Sequence, residues 1–186
     1  MTTKRIEADR MDTGEAARGD RFSRLFESYQ AALRRLVGAY ASNPADREDL
    51  LQEIAVGIWQ SLPGFRGDSS ERTWIYRIAH NIAIRSSLRN RVRNAREPLL
   101  ATPFDAASGG VSAEDALVDD ERRRALMSAI RNLPVLDRQV VTLHLEGLSA
   151  AEIEAITGVS QGAVATRLTR IRQKLAEQIQ AEGADR

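Results

Sequence analysis

Between Leu148 and Ala176 the chain sets a row of cations and short hydrogen-bonding side chains along one side of a helix. Gln161, Thr166, Arg167, Thr169, Arg170, Arg172, Gln173 and Lys174 lie off the apolar stripe of Val164, Leu168, Ile171 and Leu175, and no acid intervenes before Glu177. Guanidinium and ammonium groups meet phosphates, while Thr and Gln hydrogen-bond to base edges, so a one-sided surface of this kind suits a polyanion read in a groove. Upstream, Ser149 and Glu152 form an S-x-x-E capping box, Gly158 can turn the chain out of a short helix, and Ser160 can cap the next. Two capped helices around a tight Gly turn are the spacing of a DNA-binding helix-turn-helix. The same residues would also serve a solvated hairpin, since charge runs are commonly solvated faces.

Composition places these residues on a globular helical chain. Its 186 residues, 42% hydrophobic, suffice for one domain or two small ones. The formal charge is only +1, from 27 basic against 26 acidic residues, but the distribution is uneven. Arg85, Arg89, Arg91, Arg93 and Arg96 form an acid-free run, a second basic group spans 167–174, and acids collect at 114–121. With no cysteine, disulfides, thiolate metal sites and cysteine nucleophiles are excluded. His80 and His144 stand apart, so neither a metal site nor a catalytic residue is expected, and no cofactor is implied. No run approaches the ~18 apolar residues of a membrane span, which predicts a cytoplasmic protein without membrane insertion.

The pattern along the chain predicts an all-α protein of two small helical domains. Residues 1–19 are polar and aperiodic and are expected to form a flexible leader. Within 20–96, a first helix carries Phe22, Leu25, Phe26, Tyr29, Leu33, Leu36, Val37 and Tyr40. Asn43-Pro44 opens a second helix, with Leu51, Ile54, Ile58 and Trp59 inward, which stops at Pro63-Gly64. After the loop Phe65–Ser70, a third helix with Trp74, Ile75, Ile78 and Ile82 runs into the arginine cluster. Residues 97–113, rich in Pro, Gly, Ala and Ser, read as a linker whose ends would lie roughly 20–25 Å apart, leaving the halves free to move independently. A second helical module at 114–180, broken by Pro134 and turned at Gly147, supports the helix-turn-helix, and 181–186 form a tail.

Four phrases carry a family resemblance: D-L-x-Q-E at Asp49–Glu53, F-R-G-D-S at Phe65–Ser69, T-W-x-Y-R-I-A-x-N at Thr73–Asn81, and L-P-x-x-x-R at Leu133–Arg138. In this order they closely resemble the two modules of bacterial extracytoplasmic-function (ECF) sigma factors, over about residues 20–95 and 115–180. The resemblance implies a non-enzymatic subunit that joins core RNA polymerase, directs it to promoter DNA and leaves after initiation. An anti-sigma factor is a further partner implied for many relatives.

By the same resemblance, residues 20–96 correspond to sigma region 2 and residues 114–180 to region 4. Asp46, Asp49, Gln52 and Glu53 match the surface that docks on the polymerase clamp, although carboxylates near a helix start also favour its dipole. Phe65, Arg66, Asp68, Ser69 and Asn81 match the readers of the single-stranded −10 element; Asp68 and Ser69 would equally suit a turn and a helix cap. Arg85, Arg89, Arg91 and Arg93, with Arg167 and Arg172, are the expected phosphate contacts. Ala165, Thr166, Thr169 and Arg170 match the readers of the −35 duplex.

The chain departs from the family pattern at Ala55, where an aromatic is common, at Glu71, commonly apolar, at Arg85, often an acid, and at Ala165, often an arginine. Two other classes fit fewer features. A self-sufficient helix-turn-helix regulator would dimerise through the N-terminal module, and a recombinase would need a nucleophile such as Ser69, Ser70 or Tyr76.

Overall fold

The computed structural model describes the backbone of residues 2–96 and 113–184 and the side chains of residues 15–90 and 122–178. Seven α-helices occur among the described residues: α1 (Thr2–Gly38), α2 (Pro44–Ser61), α3 (Glu71–Arg96), α4 (Ala113–Asn132), α5 (Val135–Leu145), α6 (Ala150–Thr157) and α7 (Gln161–Ala184). A 3-10 turn at Leu62–Gly64 follows α2, and no strand occurs among the described residues. The all-α expectation therefore holds.

Two boundaries differ from those expected. The leader expected over 1–19 is helical from Thr2, so α1 runs unbroken into the fold. Apolar periodicity misses this segment because its residues favour a helix without an apolar stripe: it holds Ala, Arg, Glu and Met and no proline. Near its end, the Arg18 guanidinium lies 4.0 Å from the Trp59 ring centroid and donates to the Trp59 carbonyl at 2.7 Å. At the other terminus α7 continues to Ala184, into the expected tail. The linker at 97–113 lies outside the described residues except for Ala113, which opens α4.

The N-terminal half closes around the periodic residues of α1, α2 and α3. Leu33, Leu36, Ile54, Ile58 and Ile75 are fully buried. The start of α2 is fixed by Asn43, whose side chain accepts from the Asp46 amide at 2.7 Å, and by Pro44 at the first helical position. Gly57 of α2 faces α3, where a Cβ would meet the end of the Ile82 side chain.

The C-terminal half packs α4–α7 around Ile130, Leu133, Val140, Leu143, Ile153, Val164 and Ile171. Arg138 of the L-P-x-x-x-R phrase is only 3% exposed and donates to the carbonyls of Leu133 and Arg131, satisfying groups that the end of α4 leaves unbonded. The capping box is formed in full, with Ser149 and Glu152 bonding reciprocally, and Gly158 ends α6 in the left-handed conformation at φ 75°.

The halves are packed against each other, rather than separate as the linker's composition predicts. Helix α6 lies along α3, and both ends of α5 approach the N-terminal half. Arg35 and Tyr76 bond to the Glu146 carboxylate, Arg72 to its main-chain carbonyl, Arg77 to the Ala155 carbonyl, and Arg131 to the Gly38 carbonyl. None of these pairs has a local spacing, so periodicity cannot reveal the seam.

Candidate nucleic-acid interface

On α2, Asp49, Gln52, Glu53, Val56 and Gln60 form an exposed stripe at intervals of three and four. Asp46, expected in the same ridge, also takes part in the helix cap: its Oδ2 accepts from the Asn43 amide group at 2.6 Å. Val56, at 52% exposure, is the member that charge reading overlooks. Its signal was an apolar residue interrupting a polar ridge.

Beside the ridge, a groove between α2 and α3 is floored by Gly57, Ile78 and Ile82 and rimmed by Asp49, Gln52 and Glu53 opposite Asn81, Arg85 and Arg89. Arg89 crosses the groove to Glu53, donating at 2.8 and 2.6 Å to its two carboxylate oxygens. Residues expected to meet polymerase and residues expected to meet DNA are thus neighbours on one surface. Arg85 donates to the Asn81 carbonyl at 3.1 Å, and its guanidinium remains exposed. Arg91 and Arg93 continue α3, but their side chains lie outside the described residues.

The loop before α3 is not consumed by capping. Ser70, rather than Asp68 or Ser69, serves that role: its hydroxyl accepts from the Thr73 amide at 3.1 Å. Gly67 takes φ 81°, a conformation that L side chains rarely adopt, and Arg66 and Asp68 are exposed. Phe65 is half-buried on Trp74, the ring centroids 4.7 Å apart, with the Arg21 guanidinium 5.4 Å from the Phe65 centroid. This pair anchors the loop's start to α3. Deeper in the half, His80 is fully buried between Tyr40, whose hydroxyl lies 3.0 Å from Nδ1, and the Tyr76 ring. Burial pulls the His80 imidazole down to about 3, so it is neutral at physiological pH.

On α7, Val164, Leu168, Ile171 and Leu175 are buried while Ala165, Thr166, Thr169 and Arg170 face outward together. Thr166 and Thr169 bond back to the carbonyls four residues earlier, at 3.1 and 3.2 Å, leaving hydroxyl oxygens able to accept. Arg167 differs: it is half-buried and donates to Asp137 at 2.7 Å, so it ties α7 to α5. Arg172 is exposed with its Nη2 3.3 Å from His144 Nε2. No helix among the described residues is long and apolar enough to cross a membrane, and no cluster there could hold a metal ion.

Comparison with known proteins assigns this arrangement to a family. The model of Sigma-70 region 2 matches residues 25–94 and that of Sigma-70 region 4 matches residues 123–175. The ECF RNA polymerase sigma-E factor of Escherichia coli K12 is 32% identical over 168 residues, spanning 86% of both chains. The chain belongs to the ECF sigma factors. The sigma-E factor of Haemophilus influenzae is 31% identical over 166 residues, covering 86% of this chain and 87% of that one. Among solved structures, CnrH in complex with the cytosolic domain of CnrY matches with a TM-score of 0.63 and 25% identity, over 94% of this chain and 98% of that chain. The sigma factor RpoE of Bartonella quintana, in complex with the anti-sigma factor NepR, shares the fold at a TM-score of 0.66 and 22% identity, over 86% and 96%. This sigma factor directs transcription initiation. The α2 ridge, the groove and the loop fall within region 2, and the exposed side of α7 falls within region 4.

Proposed function

We propose that this ECF sigma factor divides initiation between three surfaces. Asp49, Gln52, Glu53 and Val56 dock core RNA polymerase, pairing carboxylates with basic groups around an apolar contact. The loop from Phe65 to Ser69, with Asn81, receives a single-stranded base of the −10 element, where Arg66 and the acceptors of Asp68 and Ser69 meet an unpaired hydrogen-bonding edge. Ala165, Thr166, Thr169 and Arg170 read the −35 duplex from the major groove. Arg85, Arg89, Arg91, Arg93 and Arg172 contact phosphates, and Arg167 positions α7 through Asp137. No residue is assigned a catalytic role, because melting and recognition are binding events. The factor acts in the cytoplasm, and its likeness to the sigma factor RpoE, solved with the anti-sigma factor NepR, supports an anti-sigma partner.

The observation that supports this reading is the groove, whose lining brings the exposed α2 residues Asp49, Gln52, Glu53 and Val56 beside Asn81, Arg85 and Arg89 of α3. A self-sufficient regulator needs no such ridge. The test is an Asp49→Lys, Val56→Glu variant, changed at two exposed positions on α2. Surface changes of this kind ordinarily alter stability by about 0.5 kcal/mol or less. The variant is expected to keep its helical circular dichroism and lose capture of core polymerase. Undiminished capture by the folded variant would remove the ridge from the docking surface.

A further inference from the structure

The seam between the halves is built from arginines set against helix C-termini. Unbonded carbonyls and the helix dipole make such ends negative, so a guanidinium placed there is both bonded and attracted. Arg72 donates to the carbonyl of Glu146, the residue following α5, and Arg77 donates at 3.0 Å to the carbonyl of Ala155 in the last turn of α6. From the opposite side, Arg131 donates at 3.1 Å to the carbonyl of Gly38, the last residue of α1.

Glu146 is the hub. Its side chain is 8% exposed, and its carboxylate accepts two bonds of 2.7 Å from Arg35 and one of 3.1 Å from the Tyr76 hydroxyl. Those bonds raise the Arg35 guanidinium above its ordinary value, and burial followed by the Glu146 charge raises the Tyr76 hydroxyl, so both remain protonated donors. One residue therefore gathers donors from α1 and from α3.

The bonds held by this seam lie beside the proposed −10 reader. Arg72 follows the loop of Phe65–Ser69, and Arg77 precedes Asn81 by four residues, as Asn81 precedes Arg85, which aligns the three along one side of α3. We propose that Glu146 latches the free chain closed, and that opening the latch releases Arg72 and Arg77 to the phosphate backbone of the −10 strand. The closed chain withholds two cations from DNA by giving them to its own helix ends. The Arg35–Glu146 bonds lie at a partly solvated edge of the seam, with the Arg35 side chain 61% exposed, which leaves the latch open to competition when a stronger partner engages the halves. The DNA half of this inference rests on the region 2 surface acting as proposed above.

The absence of cysteine permits site-specific labelling of the full chain at Gln60→Cys and Gln173→Cys, exposed positions on α2 and α7. Energy transfer between the labels, measured first in the otherwise unchanged free chain, should change in the same direction in both Glu146→Ala and Arg35→Ala, which break the latch from opposite sides. Unchanged transfer in the two folded variants overturns the latch. In holoenzyme on promoter DNA, Arg72→Ala with Arg77→Ala should reduce the salt slope of binding by about 1.4, the value for two single-strand phosphate contacts, while Glu146→Ala leaves it alone. An unchanged slope in the arginine pair overturns the phosphate role. Promoter-specific transcription by the unsubstituted holoenzyme separates either failure from failure of the sigma-factor surfaces themselves.

Discussion

Thr166 and Arg170 stand together on the outer side of α7, whereas Arg89 reaches across the α2–α3 groove to Glu53. These settings imply different failures. Thr166→Ala or Arg170→Ala should change the preferred −35 sequence, because a direct base contact carries about 1–3 kcal/mol of discrimination. Arg89→Ala should weaken binding on all promoters and lower the salt slope by roughly one. A promoter library transcribed by holoenzyme distinguishes them; an unchanged −35 consensus in the α7 variants would reduce Thr166 and Arg170 to positioning roles. His80 makes a pH prediction at the same scale. Its depressed value means that the unfolded chain binds the extra proton between about pH 6.5 and 3, so its contribution is complete above 6.5 and declines as pH falls through that window. The decline approaches about 1.4 kcal/mol per pH unit at most. Urea unfolding at pH 7 and pH 5 should show this component vanish in His80→Gln, and an equal pH dependence in that variant would place the titration elsewhere.

Local elements were readable wherever the cause was local. The Asn43-Pro44 start, the Ser149–Glu152 box and the Gly158 turn all occur as their spacing predicts, because each is closed by groups within four residues. Ser149→Ala should therefore cost about 0.5–2 kcal/mol of stability, seen as a lower urea midpoint, while Ser42→Ala, an exposed site outside a helix, changes little. If the two behave alike, the box contributes nothing beyond solvation. The Ser149 amide and hydroxyl bonds also hold the Glu152 carboxyl below its ordinary value, so its share of the cap persists at neutral pH and is lost on acidification. What sequence did not disclose had non-local causes. Arg18 reaches 41 residues to Trp59, and Arg35 reaches 111 residues to Glu146. Asp46 and Arg167 have intramolecular partners that charge pattern does not disclose, the Asn43 cap and the Asp137 ion pair. Charge type alone cannot tell a cation facing DNA from one that fastens two helices.

At the scale of the molecule, two compact helical halves present their surfaces on one chain: ridge, groove and loop on the first, the exposed side of α7 on the second. Docking on polymerase would fix the first half relative to the second and let both address one promoter, so DNA specificity should depend on the assembly. Linking two weak contacts within one complex raises affinity without any new contact. The direct measurement is transcription in vitro from a promoter selected by the holoenzyme, alongside binding of the same DNA by the chain alone. The account predicts a discrete transcript that requires both chain and core polymerase, with weak binding by the chain alone. Tight, sequence-specific duplex binding by the isolated full-length chain, unchanged by core polymerase and yielding no transcript, would contradict it.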